Sequence, residues 1–596
     1  MTTSSSSSSL VDFCSWAASQ GVISSLIPKE SKGKGIGLFV PANLLSTDQD
    51  QDKQNQDTDN HDLLFVPSAL LLSRSKVLNM DCPPLRKTLN LLGPDLVTER
   101  LALILFLLFG RLSAAQDHHG ARSIPDKLTG SNTKIFWPYI ASLPEVSTPV
   151  TLEPELVRGY LAGTLLLDSV CAKRTKLEGE FEQLSGNMAI FEHWPIKPTL
   201  TDFIWADATF WSRVLSFQSQ WEGVDFQDDI PDDMHMVPFL DFANHASTPN
   251  IRWLVNKDGL HVVDNGLQQQ KKKSTRDAPN SHLEAFLSYG SKPNTELLFL
   301  YGFLLHDNPT QFLTLAMPMD EEDPYYMPKA HALMRLGIPP RITLYMDKTD
   351  GPKDLVELCD GLWITAQSQL LLRIYALNEE DGLSAMIEEP DIQACAPLKI
   401  PDSDEDTEEM NLDGEDTLGR LVLTISGTKA DTREDFEALI PAMEIYPVLV
   451  LRGLVLVANR VEYYVSRIME TGDKVQREED IEIVRAVNFD ADHESPERGG
   501  DITDLLANVN LADDPTSTQP LSEEERNELA AATSEQLKVE AQVSCLVSLM
   551  KAYRTEELST LVEISNYLGE AQTKCLEESP FIQAYLASMQ GDAGDE

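Results

Sequence analysis

The amino-acid sequence predicts an α+β protein, and three observations carry that prediction. Apolar runs of strand length, broken by glycine or by small polar residues, recur at 36–41, 63–67, 236–243 and 283–289. Helical periodicity dominates from 85 to 226, most clearly at 98–112, 154–170 and 173–184. After Pro309 the chain turns helix-rich again, at 329–339, 362–378, 447–470 and 522–568.

With 596 residues the chain exceeds one ordinary domain, and 42% hydrophobic residues supply packed cores. Acids outnumber bases 95 to 48, a formal charge of −47. Such a field repels phosphates and favours basic protein partners, so no direct nucleic-acid binding is expected. Cysteines 14, 82, 171, 359, 395, 545 and 575 stand singly, with no CxxC pair. That spacing argues against structural zinc and a disulfide framework and fits a reducing compartment, cytoplasmic or nuclear. The apolar run 101–109 is far shorter than the ~20 residues of a membrane span. Flanked by Arg100 and Arg111, it reads as a buried helix.

In chain order, 13–27 reads as an amphipathic helix with Trp16 and Ile23 at buried positions. Gly33, Gly35 and Gly37 lead into the strand run 36–41, where glycine permits positive φ or a close backbone approach. Residues 49–62 are a polar, acidic insertion. Trp205, Trp211, Ser212 and Arg213 share one helical stretch. The basic tract Lys271–Lys273 reads as a solvated loop. Ser522 to Glu525 forms a capping-box pattern before the last long periodic segment. Acidic stretches at 402–416 and 478–514 interrupt the second half.

The centre of the chain is 236–250, an apolar run with one acid, Asp241, that breaks into Asn244-His245. Both side chains need hydrogen-bond partners if buried. A second block follows: an apolar strand from Leu283, then Ser288-Tyr289-Gly290, Lys292, Asn294, Glu296-Leu297-Leu298 and Tyr301-Gly302-Phe303. Two polar elements from distant parts of the chain suggest a site.

The ordered pair of blocks resembles the SET-domain protein methyltransferases of the RuBisCO large-subunit methyltransferase-like branch. That branch includes fungal enzymes acting on ribosomal proteins and animal enzymes acting on lysine or on an actin histidine. The resemblance implies a β-rich SET domain of threaded (pseudoknot) topology over 1–320, with a helical insertion at about 85–230. It further implies an all-α substrate-binding domain over 321–590, with acidic disordered insertions at about 397–418 and 478–520. The implied cofactor is S-adenosylmethionine as methyl donor, with no metal. Gly35, Ile36 and Gly37 would line its methionine side, Arg213 would meet its carboxylate, and Asn244 and His245 would bond its amino and adenine groups. Phe303 would stack on adenine, Asp241 would support the pocket, Tyr301 would face substrate, and Tyr289 would be catalytic. The implied activity is protein-lysine N-methylation of a basic protein, with ribosomal proteins the first expectation. Protein-histidine methylation is the close alternative, and a non-catalytic acidic adaptor for basic proteins the alternative of another class. A monomer with no membrane association is expected.

Overall fold

The computed structural model describes residues 5–31, 33–41, 62–118, 136–194, 196–218, 233–267, 283–347, 351–388, 420–478 and 523–592. The insertion at 49–61, the tract Lys271–Lys273, Ser522 of the capping box, and the acidic stretches at 397–418 and 478–520 (Glu478 apart) lie outside the described residues.

The chain opens with helix α1 (Ser5–Ser19), then strands β1 (Ile23–Ser24), β2 (Ile27–Ser31) and β3 (Gly35–Val40). The helix expected over 13–27 is therefore corrected in its second half. Gly21 takes φ 89, a left-handed conformation that ends the helix, and the β-branched pair Val22-Ile23 continues extended. Within the helix Phe13 and Ala17 are buried and Trp16 is half-buried, while Ile23 is 69% exposed.

Strands β4 (Leu64–Pro67) and β5 (Leu72–Ser73) precede the helical insertion, whose longest members are α2 (Glu99–His118), α3 (Leu165–Gly186) and α4 (Leu200–Arg213). As its apolarity requires, 102–109 is buried throughout, and Phe106, Phe109, Phe203 and Phe210 join the same core. Helix α4 starts on a capping box in which Thr199 and Asp202 satisfy each other's backbone N–H, at 3.2 and 2.9 Å. It ends at Arg213, where the chain continues as β6 (Val214–Phe217) and then β7 (Asp233–Met236).

The strands that follow are β8 (Asn244–His245), β9 (Ile251–Asn256), β10 (Gly259–Asp264) and β11 (Leu283–Leu287). They complete two four-stranded sheets, ordered β1-β4-β10-β9 and β2-β3-β11-β8. All pairs are antiparallel except β8 with β11, which run parallel with Asn244 opposite Phe286 and His245 opposite Leu287. Strand segments near residues 36, 244 and 285 thereby become neighbours, though they are far apart in sequence.

The expectation of an all-helical second half is corrected. Strands β12 (Phe312–Ala316), β13 (Arg341–Tyr345), β14 (Leu355–Cys359) and β15 (Leu362–Thr365) form an antiparallel sheet, in the order β12-β13-β15-β14. A second sheet joins β16 (Leu383–Glu388), β17 (Arg420–Ile425) and β18 (Thr428–Ala430). The stretch 362–378, read as one helix, begins with four strand residues before α5 (Ala366–Ala376), which Thr365 caps through the N–H of Ser368 at 3.1 Å. The mixed helix and strand content agrees with the predicted α+β class.

Two long helices follow, α6 (Tyr446–Glu478) and α7 (Glu523–Glu578), before a last short one, α8 (Pro580–Asp592). Leu546, Met550 and Tyr553 of α7 enter the core built by the first two sheets and the insertion. Leu561, Ile564 and Leu568, one face further along, enter the core around β12–β15. One helix thus pins both cores. Asp168 on α3 binds Arg467 on α6 with two bonds of 2.6 and 2.7 Å.

At this junction Glu557 is 2% exposed, with Oε1 accepting the Leu165 N–H at 2.7 Å and Oε2 without a partner. Burial pushes its carboxyl up to about 7, against the opposing pull of the Tyr553 hydroxyl and the Leu165 N–H. A folded value above the unfolded one means the fold favours the protonated acid. Its stabilising share is complete below about 4.5 and disappears as pH rises through about 7. Glu557→Gln imitates the protonated form. It should flatten the fall in unfolding free energy between about pH 5 and 8, gaining roughly 3 kcal/mol at the upper end. Denaturant melts of both proteins across that range check this, and parallel pH profiles would contradict it.

Candidate active site

Every site residue named from the sequence lies on, or directly beside, the strands that β3, β8 and β11 bring together. Phe239 opens the approach at φ 78, an uncommon conformation for a bulky residue, and aims the short turn Leu240–Phe242 into β8. Phe13 of α1 packs on Phe242 at 5.1 Å and Phe239 at 5.8 Å between ring centres, so the first helix buttresses this turn.

His245 is 8% exposed, and its Nδ1 accepts the backbone N–H of Tyr289 at 3.1 Å. That bond leaves the proton on Nε2, and burial lowers the imidazole's affinity for a second one. At neutral pH the ring is a single-proton donor. The Tyr289 hydroxyl donates to the carbonyl of Ala243 at 2.8 Å, closing a second link between the two strands. Asn250, 1% exposed, adds two more: Oδ1 accepts from Phe286 N at 2.7 Å, and Nδ2 donates to Glu284 O at 3.0 Å.

Glu284 is the residue the sequence reading missed. Its carboxylate accepts from Asn244 Nδ2 at 2.8 Å and from Ser31 Oγ at 2.9 Å, and so ties β2, β8 and β11 into one polar knot. The available signal was one acid inside the apolar strand Leu283-Glu284-Ala285-Phe286-Leu287. Gly37 lies directly over this knot. A Cβ there would collide with the Glu284 carboxylate and come 2.9 Å from Asn244 Nδ2. Gly35, exposed at φ 74, supplies the turn, while Gly37 supplies the close approach. Gly37→Ala should therefore displace the Asn244 amide, cost about 1–3 kcal/mol of stability and weaken ligand binding at least tenfold. Thermal unfolding and equilibrium binding read the two effects, and unchanged binding would refute the close approach.

Behind the knot, Arg213 at the end of α4 donates to the Asp241 carbonyl at 2.7 Å and stands 3.5 Å from its carboxylate. Tyr139 donates its hydroxyl to the same carboxylate at 2.7 Å. Burial pushes the Asp241 carboxyl up, with Arg213 and Tyr139 opposing. Arg213 Nε and Asp241 Oδ1 are buried without partners. An unpartnered guanidinium N–H is a donor that an anionic ligand group can use.

The remaining wall is aromatic. Tyr289 and Tyr301 are 4.9 Å apart, His245 and Tyr289 5.1 Å, His245 and Phe303 6.0 Å, and Tyr301 and Phe303 6.2 Å between ring centres. Gly302 turns this wall at φ 74, where a Cβ would run into the Ser147 carbonyl. Burial pushes the Tyr301 hydroxyl up to about 12 and that of Tyr289 higher still. Both phenols are neutral at physiological pH and act as hydrogen-bond donors rather than bases. Lys292 pairs with Glu296 along the same segment. Among the described residues there is no group of His, Cys, Asp or Glu that could hold a metal ion, and no helix long and apolar enough to cross a membrane.

The glycine strand β3, the strand β11 that leads to Tyr289, and the asparagine–histidine strand β8 thus lie side by side. Known proteins are similar to the chain over part of its length. SET domain-containing protein 8 of Schizosaccharomyces pombe is 30% identical over 217 residues, 35% of this chain and 44% of that protein. The actin-histidine N-methyltransferase of Homo sapiens is 24% identical over 253 residues, 41% of this chain and 38% of that protein. The chain thus spans less than half the length of these curated relatives. A solved structure of RuBisCO LSMT bound to AdoMet aligns over 99% of this chain and 97% of its own, with TM-score 0.48 and 15% identity. No family model matches the chain.

Proposed function

We propose that the chain is an S-adenosylmethionine-dependent protein N-methyltransferase, with a lysine of a basic protein as acceptor. The single observation that supports it most is the meeting of Gly37 and Asn244 at Glu284 beside the bonded pair His245 and Tyr289, with an unpartnered Arg213 N–H near Asp241.

The donor, when bound, supplies a methyl group on a sulfonium. On this reading Arg213 binds its carboxylate, the β3 glycine turn lets backbone approach its methionine side, and Asn244 and His245 bond its amino and adenine groups. Phe303 covers the adenine, and Tyr289 directs its neutral hydroxyl at the reacting centre. Tyr301 shapes the channel for the acceptor. A lysine attacks only when neutral, and at reference pKa ~10.4 losing its proton at pH 7 costs about 4.6 kcal/mol. The apolar wall of Tyr289, Tyr301 and Phe303 disfavours the ammonium and so lowers that cost. Proximity and alignment could contribute roughly 7–11 kcal/mol to lowering the barrier. The net charge of −47 favours a basic protein as substrate, and ribosomal proteins are our first candidates.

Histidine is the second reading, favoured by the actin-histidine N-methyltransferases among the similar proteins. An imidazole acceptor, with reference pKa ~6.5, needs almost no deprotonation at pH 7. Incubating the chain with a cell extract and labelled S-adenosylmethionine, then locating the label by mass spectrometry, tests the proposal. Label on lysine supports the first reading and label on histidine the second. No measurable affinity for S-adenosylmethionine would support an acidic adaptor instead.

A further inference from the structure

The segment from Lys292 to Gln311 carries Glu296, Tyr301 and Phe303, and so forms the aromatic wall of the site. Its ends are held together by one buried amide. Asn294, 2% exposed, donates from Nδ2 to Leu305 O at 2.9 Å and accepts at Oδ1 from Leu305 N at 3.0 Å and Asn308 Nδ2 at 3.2 Å. Asn308 Nδ2 also reaches Lys292 O at 2.9 Å. The anchor of this network comes from far along the chain. Both carboxylate oxygens of Glu556, on α7, accept from Asn294 Nδ2, at 2.8 and 2.9 Å, and Oε1 also accepts from Gln311 Nε2 at 3.2 Å. One turn earlier on the same helix, the Tyr553 hydroxyl bonds Thr295 Oγ1 at 2.9 Å.

A carboxylate accepting from a buried amide forms a charge-assisted hydrogen bond, stronger than its neutral counterpart. Here it fixes both ends of a loop whose middle holds the Tyr301 and Phe303 rings. The tethering helix is the element that also crosses into the core of β12–β15.

We propose that Glu556 is a positioning residue for the donor and acceptor pocket, acting through the Asn294 amide to hold Tyr301 and Phe303 against His245 and Tyr289. The proposal rests on the methyl-donor reading of the site. Its test is equilibrium binding of S-adenosylmethionine to the full chain, its Glu556→Ala and Asn294→Ala variants, and the double variant, alongside thermal unfolding and hydrogen exchange.

Glu556→Ala should bind the donor roughly tenfold more weakly at a temperature where it is fully folded. Exchange should rise in 294–305 and stay unchanged in the β12–β13 pair. The double variant should bind no more weakly than Asn294→Ala, because the two groups act in series. Glu556→Gln, which keeps one acceptor, should recover part of the affinity, to within about threefold of the native chain. Should Glu556→Ala fail to fold, Asn294→Ala carries the test, and native affinity in it overturns the proposal. Native affinity in folded Glu556→Ala, or additive losses in the double variant, also overturns it, since a purely structural carboxylate would lower the unfolding temperature alone. A native chain that retains no donor overturns the reading of the site itself, an outcome distinct from these.

Discussion

Tyr289→Phe is expected to lower turnover about 100- to 1,000-fold while changing donor affinity less than about threefold. The magnitude is that of removing one preorganised donor from a reacting centre. The asymmetry follows from position. Tyr289 sits at the meeting point of His245 and Tyr301, at 5.1 and 4.9 Å, and burial keeps its hydroxyl protonated. The phenylalanine ring preserves this packing and loses only the hydroxyl. That hydroxyl bonds the Ala243 carbonyl, so the variant also loses about 1 kcal/mol of stability. Single-turnover methyl transfer, measured with donor saturating, separates the effects. Undiminished turnover would remove the role assigned to Tyr289.

Arg213→Ala should be the most destabilising single change at the site. It leaves the Asp241 carboxylate, 1% exposed, without its cation and with only the Tyr139 hydroxyl in support. Breaking such a buried pair costs about 3–5 kcal/mol. The sign of its pH dependence is fixed by chemistry. Burial already holds the Asp241 carboxyl above its ordinary value, and removing Arg213 raises it further. The loss is then smaller in acid, where the carboxyl takes up its proton in the folded variant, and largest at neutral pH. Asp241→Asn placed in the Arg213→Ala background should recover part of the stability at pH 7.5 while donor binding stays lost. Denaturant unfolding at about pH 4.5 and 7.5 checks this. An equal loss at both values would mean Asp241 is not the group left uncompensated.

What could be read from sequence was what short spacing encodes. The blocks around Asn244-His245 and Tyr289 announced themselves because polar groups interrupt apolar runs, and coordinates join them through two parallel bridge pairs. The insertion was legible from helical periodicity, as in 154–170 and 173–184, and from the short apolar run 102–109. Glu284 was not legible, because one acid in a five-residue strand looks like a solvent-facing position until Asn244 and Ser31 are folded against it. The sheets of the second half were missed because β13, β14 and β15 are only four or five residues long, and a short apolar run does not distinguish strand from helix. The end of α1 turned on the conformation of Gly21 alone. The link from Asn294 to Glu556 joins groups that no local pattern relates.

The central claim is a methyl-donor site built around Asn244, His245, Tyr289 and the β3 glycine turn. Equilibrium dialysis of the full chain against labelled S-adenosylmethionine measures it directly. The account predicts one equivalent retained per chain, and loss of that retention in Asn244→Ala. No retention by the native chain, or undiminished retention by the variant, would contradict it.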